Sequence, residues 1–173
     1  MPKKYFFLAL LFCSFHILNA QNLIAWSNDK KITFQNFKKT PKKNKKPQGF
    51  LDSKIGWQIS ESTNSIPVLE VYNRFDESTS WISMKHEGIL KEMQLQFDLS
   101  ELYARKIRKD FVLLQQKKEM NRDVYREHFL KQMKIFQKRL KSIAGVTLNQ
   151  PSLYKLINAQ VQDSITLYKE YKF

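Results

Sequence analysis

Apolar residues recur at spacings of three, four and seven along one stretch of the chain. Leu90, Met93, Phe97, Ala104, Ile107, Phe111 and Leu114 fall on one face of a long helix. Lys91, Glu92, Glu101, Arg105, Lys106, Arg108 and Lys109 lie between them and are expected on its wetter faces. A second helical pattern from Asn121 to Ile143 carries Val124, Phe129, Met133, Phe136, Leu140 and Ile143, with Gly145 as its stop. Asn149-Gln150-Pro151-Ser152 then opens a third segment, Leu153 to Tyr171. Upstream the period shortens. Ile55, Trp57 and Ile59 alternate, Val68 to Tyr72 is a β-favouring run opened by Pro67, and Asn64-Ser65 and Asp76-Glu77-Ser78 supply turns. Leu23 to Trp26 is a short apolar run, and Ile32-Thr33-Phe34 resumes β-favouring residues. The pattern predicts an α+β fold: a small, mainly antiparallel sheet from the N-terminal half, one long helix against it, then two more helices. Phe97, Ile107 and Phe111 are expected to face the sheet, and Trp57 and Trp81 to pack in the core.

The first twenty residues stand apart. Pro2-Lys3-Lys4 is a basic start, Tyr5 to Leu18 is mostly apolar, and Ala20 is a small residue before a cut, so residues 1–20 read as a secretory signal peptide. The apolar run is short for a bilayer span, and no transmembrane segment is expected after cleavage. Residues 21–173 then form a single domain, secreted or periplasmic, with room for a core. Cys13 leaves with the signal, so the mature chain forms no disulfide. The formal charge is +14, or +12 without Lys3 and Lys4. In an exported chain this favours an anionic envelope component or a protein partner over nucleic acid. The charge is densest in the Lys/Pro-rich loop 38–47, where Lys38, Lys39, Lys42, Lys43, Lys45 and Lys46 are candidate anion contacts. Lysines bind anions as point charges with little geometric selectivity.

The long helix carries more than a stripe. Ile89 to Arg108 reads ILKEMQLQFDLSELYARKIR, preceded by Ser80-Trp81. It resembles the signature of a family of secreted bacterial zinc metalloproteases that carry a domain of unknown function. That signature runs roughly L-L-K-H-E-Q-x-H-F-D-I-x-E-x-Y-A-R-K-L-R after S-W. Gln94, Phe97-Asp98, Glu101, Tyr103-Ala104-Arg105-Lys106 and Arg108 match it. The resemblance implies a zincin-like domain, with Asp98, Glu101 and Arg105 as residues that would orient a metal site's ligands. It also implies an aromatic-ended corner near the N-terminus, of which Gln35-Asn36-Phe37 keeps only the Phe.

The chemistry of the motif is missing. HExxH places two imidazoles one helical turn apart to hold zinc, with the Glu as base for the metal-bound water. Here Glu92 stands at the first His, Met93 at the Glu and Gln96 at the second His. Met93 accepts no proton, and Gln96 offers only a neutral amide. The family's tail motif, Y-D-x-E-T-x-H-G, would supply a third ligand, and counting from Tyr154 puts Gln160 at that position. A rival pair, His86-Glu87, would need a second His at 90, where Leu90 stands. His86 and His128 are expected on the surface. The reading is an exported, catalytically inactive relative of these proteases that works as a binding or scaffold protein, with no cofactor. Two alternatives remain. One is a peptidase with a relocated metal site drawn from Glu92, Asp98, Glu101 and His86 or His128. The other is a basic envelope protein that binds anionic surfaces through its lysines.

Overall fold

Alternation along Val68–Asp76 sets the sheet. Val71, Asn73 and Phe75 point inward and are buried, while Glu70, Tyr72 and Arg74 between them are partly exposed. The structure, a computed structural model, describes residues 22–41 and 48–173. Strands β1 (Leu23–Ala25), β3 (Ser53–Ser60) and β4 (Val68–Asp76) make an antiparallel sheet in the order β1-β4-β3, with Ile24 opposite Phe75 and Trp57 opposite Val71. A second, two-stranded sheet pairs β2 (Gly49–Phe50) with β5 (Trp81–Ile82), bringing Phe50 opposite Trp81. The segment expected to resume β structure at Ile32-Thr33-Phe34 instead leads into a 3-10 turn, Phe34–Asn36. Asn36 Nδ2 donates to Glu77 Oε1 at 2.7 Å, docking that corner on the turn after β4, and Phe37 stacks on Phe75.

Helix α1 (Glu87–Gln116) crosses the sheet, followed by α2 (Arg122–Ile143), the single turn α3 (Val146–Asn149) and α4 (Pro151–Leu167). The α+β expectation holds, with an antiparallel sheet on one long helix. His86 caps α1, its Nδ1 accepting from Gly88 N at 3.0 Å. Asn121 caps α2 in the same way, through Asp123 N at 2.9 Å. Gly145 ends the α2 region at φ 74, a left-handed conformation natural to glycine. Pro151 occupies the first turn of α4, where its missing N–H costs nothing.

Two apolar clusters flank α1. One gathers Phe97, Met93 and Ile89 with Phe75, Leu51 and Ile32. The other joins Ile107, Phe111 and Leu114 to Ile55 and Val71 of the sheet and to residues of α2 and α4. Phe97 meets Phe75 edge-on at 5.2 Å and Phe111 meets Trp57 at 5.5 Å, so both face the sheet as expected. The expectation of wet faces fails for Glu92, Glu101 and Arg105, which are all buried. With the sheet on one side and α2, α3 and α4 on others, the middle of α1 has no open face. Trp81, expected in the core, is half-buried and lines a cleft instead. Among the described residues no helix is long and apolar enough to cross a membrane. The signal segment 1–20 and its cleavage point after Ala20 lie outside the described residues.

Candidate functional site

The motif residues on α1 divide into a polar network and a cleft. In the network, Asp98 is 1% exposed and accepts three hydrogen bonds. Trp26 Nε1 (2.7 Å) and Gln94 Nε2 (2.8 Å) donate to its Oδ1, and Gln162 Nε2 (2.8 Å) donates to Oδ2. Gln94 completes the link by accepting from Ile32 N at 2.8 Å. Lys31 Nζ lies 3.9 Å from Oδ2 at the exposed rim. A cavity of about 500 Å³ opens here, lined by Lys31, Gln94, Asp98, Tyr154, Asn158 and Gln162. Burial, with the Asp98 charge adding to it, pushes the Tyr154 hydroxyl above its ordinary pKa.

One turn on, Glu101 Oε1 meets two guanidinium groups, Arg105 Nε and Arg108 Nη1, each at 3.0 Å. Asn73 Nδ2 approaches Glu101 Oε2 at 3.4 Å, and Ser100 Oγ lies 2.9 Å from Asn73 Oδ1. The arginines also donate to distant backbone carbonyls. Arg105 Nη1 donates to Ile165 O at 2.7 Å, and Arg108 donates to Val71 O and Tyr171 O, each at 3.0 Å. Arg105 also stacks over the Trp26 ring at 5.2 Å. These donors and acceptors fasten α1 to the sheet and to the C-terminal segment.

The cleft lies at the first half of the motif. Its volume is about 370 Å³, and Phe50, Trp81, Ile89, Met93 and Leu148 wall it around Glu92. Glu92 is 8% exposed. Its Oε1 accepts from Gly145 N at 2.8 Å, whereas its buried Oε2 has no hydrogen-bond partner among the described residues. Met93 is buried, its sulfur turned toward Gly49. Gln96 is half-buried on the same helix.

The other candidate positions scatter. Gln160, placed by counting at a third ligand position, is exposed on α4, whose buried residues are Ile157, Val161 and Ile165. The α4 residue that reaches the motif is Gln162, through Asp98. His86 is spent on the helix cap, and His128 Nδ1 lies 3.6 Å from Asp110 Oδ2. Among the described residues no group of three or more His, Cys, Asp or Glu side chains is placed to hold a metal ion. Lys38 forms an ion pair with Glu77, and Lys39 is exposed. Lys42, Lys43, Lys45 and Lys46 lie outside the described residues.

Sequence reasoning missed Trp26, Asn73 and Gln162 as network members, and the Gly145 amide as the partner of Glu92. A buried carboxylate on a helix needs donors from elsewhere, but nothing in the one-dimensional pattern says which residues supply them. No family model matches the chain, and no curated protein and no solved structure matches it.

Proposed function

We propose that the protein is an exported, non-catalytic relative of the secreted zinc metalloproteases whose helix motif it resembles, with a zincin-like relation of helix to sheet, and that it works by binding. The observation that carries this reading is the contrast between the two halves of the motif. Asp98, Glu101 and Arg105 are fully partnered and hold the scaffold together. The positions where the resemblance would put zinc ligands and base instead hold one carboxylate, a buried thioether and an amide. Gln96 is a poor zinc ligand, and Met93 takes no proton from a bound water. What Glu92 keeps is a place in the wall of a cleft and a buried acceptor oxygen without a partner, which suit recognition rather than hydrolysis.

Elemental analysis of the purified mature protein, with a peptide-cleavage assay run with and without chelator, tests this. The expected result is no stoichiometric zinc and no chelator-sensitive cleavage. Stoichiometric zinc with chelator-sensitive cleavage would overturn the reading in favour of a relocated metal site. Export is tested separately by mass spectrometry of the native N-terminus, expected at Gln21. A native chain that starts at Met1 contradicts it.

A further inference from the structure

Glu92 poses a problem of energetics that its surroundings answer only by half. A buried carboxylate oxygen without a donor carries an uncompensated desolvation cost. Gly145 N serves Oε1, while Oε2 goes unserved by the described residues. No described cation pairs with Glu92 either, although the chain is rich in lysine. Apart from Gln48, the side chains that wall the cleft around Glu92 are apolar or aromatic, and Phe50 among them is nearly half exposed. An anionic acceptor set among apolar walls calls for a ligand with a donor at one end and a hydrocarbon stem.

We propose that this cleft binds an alkylammonium group that draws the buried Glu92 carboxylate to the cleft surface, the ammonium then donating to Oε2 and its stem packed between Trp81, Phe50, Met93 and Leu148. The proposal rests on reading the cleft as a binding site. Charge-assisted donors make the stronger bonds to a carboxylate, which favours a cation over an alcohol. A guanidinium favours a two-pronged grip on both oxygens, and Gly145 already engages one, so a single ammonium fits the free oxygen better. The Trp81 ring adds an electron-rich face for the charge. A cleft of about 370 Å³ is at the small end for ligand sites, sized for a side chain or a small amine.

Calorimetry on the full mature chain, with n-pentylammonium and 1-pentanol as probes, tests the inference. Pentylammonium should bind about tenfold or more tighter than the alcohol, the difference expected of a charge-assisted bond. Glu92→Gln keeps an oxygen for the Gly145 amide and should abolish that preference. The wild-type comparison stands even where the variant fails to fold. A third probe, Nα-acetyl-lysine amide, separates two sources of the same chemistry: binding points to a lysine side chain of a peptide, and binding of pentylammonium alone to a free amine. Equal or absent binding of pentylammonium and pentanol would overturn the inference. So would a Glu92→Gln variant that still prefers pentylammonium to pentanol. Neither failure touches the non-catalytic reading, which stands or falls on zinc and chelator-sensitive cleavage.

Discussion

Glu101 shows why a buried charge on this helix is not a decoration. Its Oε1 holds Arg105 and Arg108 at 3.0 Å, and those two arginines reach Ile165, Val71 and Tyr171. Burying three charges costs desolvation, so the cluster is not a simple gain in stability; removing one member, however, leaves the others uncompensated. Glu101→Ala should therefore cost about 3–5 kcal/mol, read as a shift in the urea midpoint. A loss below about 1 kcal/mol would place the arginines in water rather than in the core. Phe97 makes the apolar counterpart. It is buried against Phe75 and Met93, and Phe97→Ala should cost about 3–5 kcal/mol in the same measurement. An unchanged midpoint would mean that this face of α1 is not part of the core.

Among the elements, α1 was readable from its sequence because helical periodicity is local: apolar residues three and four apart need no knowledge of what covers them. Its polar residues were not, since burial of Glu92, Glu101 and Arg105 depends on segments far along the chain. Asp98 is met by Trp26 and by Gln162, 72 and 64 residues away, so no window of sequence contains the site. The pairing of Gly49–Phe50 with Trp81–Ile82 escaped for another reason: two residues are too few to show alternation. That small pair matters, because it carries Phe50 and Trp81 to the cleft. Gly145 was readable as a stop but not as a contact. Its φ of 74 and the hydrogen bond its N–H donates to Glu92 make one short connection both turn and clamp. Gly145→Ala should cost about 1–2 kcal/mol through the left-handed backbone, with the α2–α3 connection losing amide hydrogen-exchange protection first. An equal or higher melting temperature would show that the connection adopts another conformation.

At the scale of the whole molecule, three tyrosines couple the packing to pH. Burial pushes the hydroxyls of Tyr103, Tyr125 and Tyr154 above the usual value of about 10. Glu119 adds to the shift at Tyr125 and Asp98 at Tyr154, while Arg139 pulls Tyr103 back. In the unfolded chain these phenols ionise first as pH rises through about 10, so the folded state then holds more protons and stability must fall. Lys106 works in the opposite sense. Burial lowers its pKa, so the unfolded chain keeps that proton longer and this one group favours folding as pH rises toward its unfolded value. Three groups against one predict a net loss on the alkaline side. The urea midpoint should hold steady up to about pH 9 and decline between about pH 10 and 11. Tyr154→Phe removes one of the three protons and should flatten that decline while leaving the neutral-pH midpoint less affected. A decline of unchanged steepness in Tyr154→Phe would mean that its hydroxyl ionises as freely in the folded protein as in water, and that the Asp98 cavity is wetter than its walls imply.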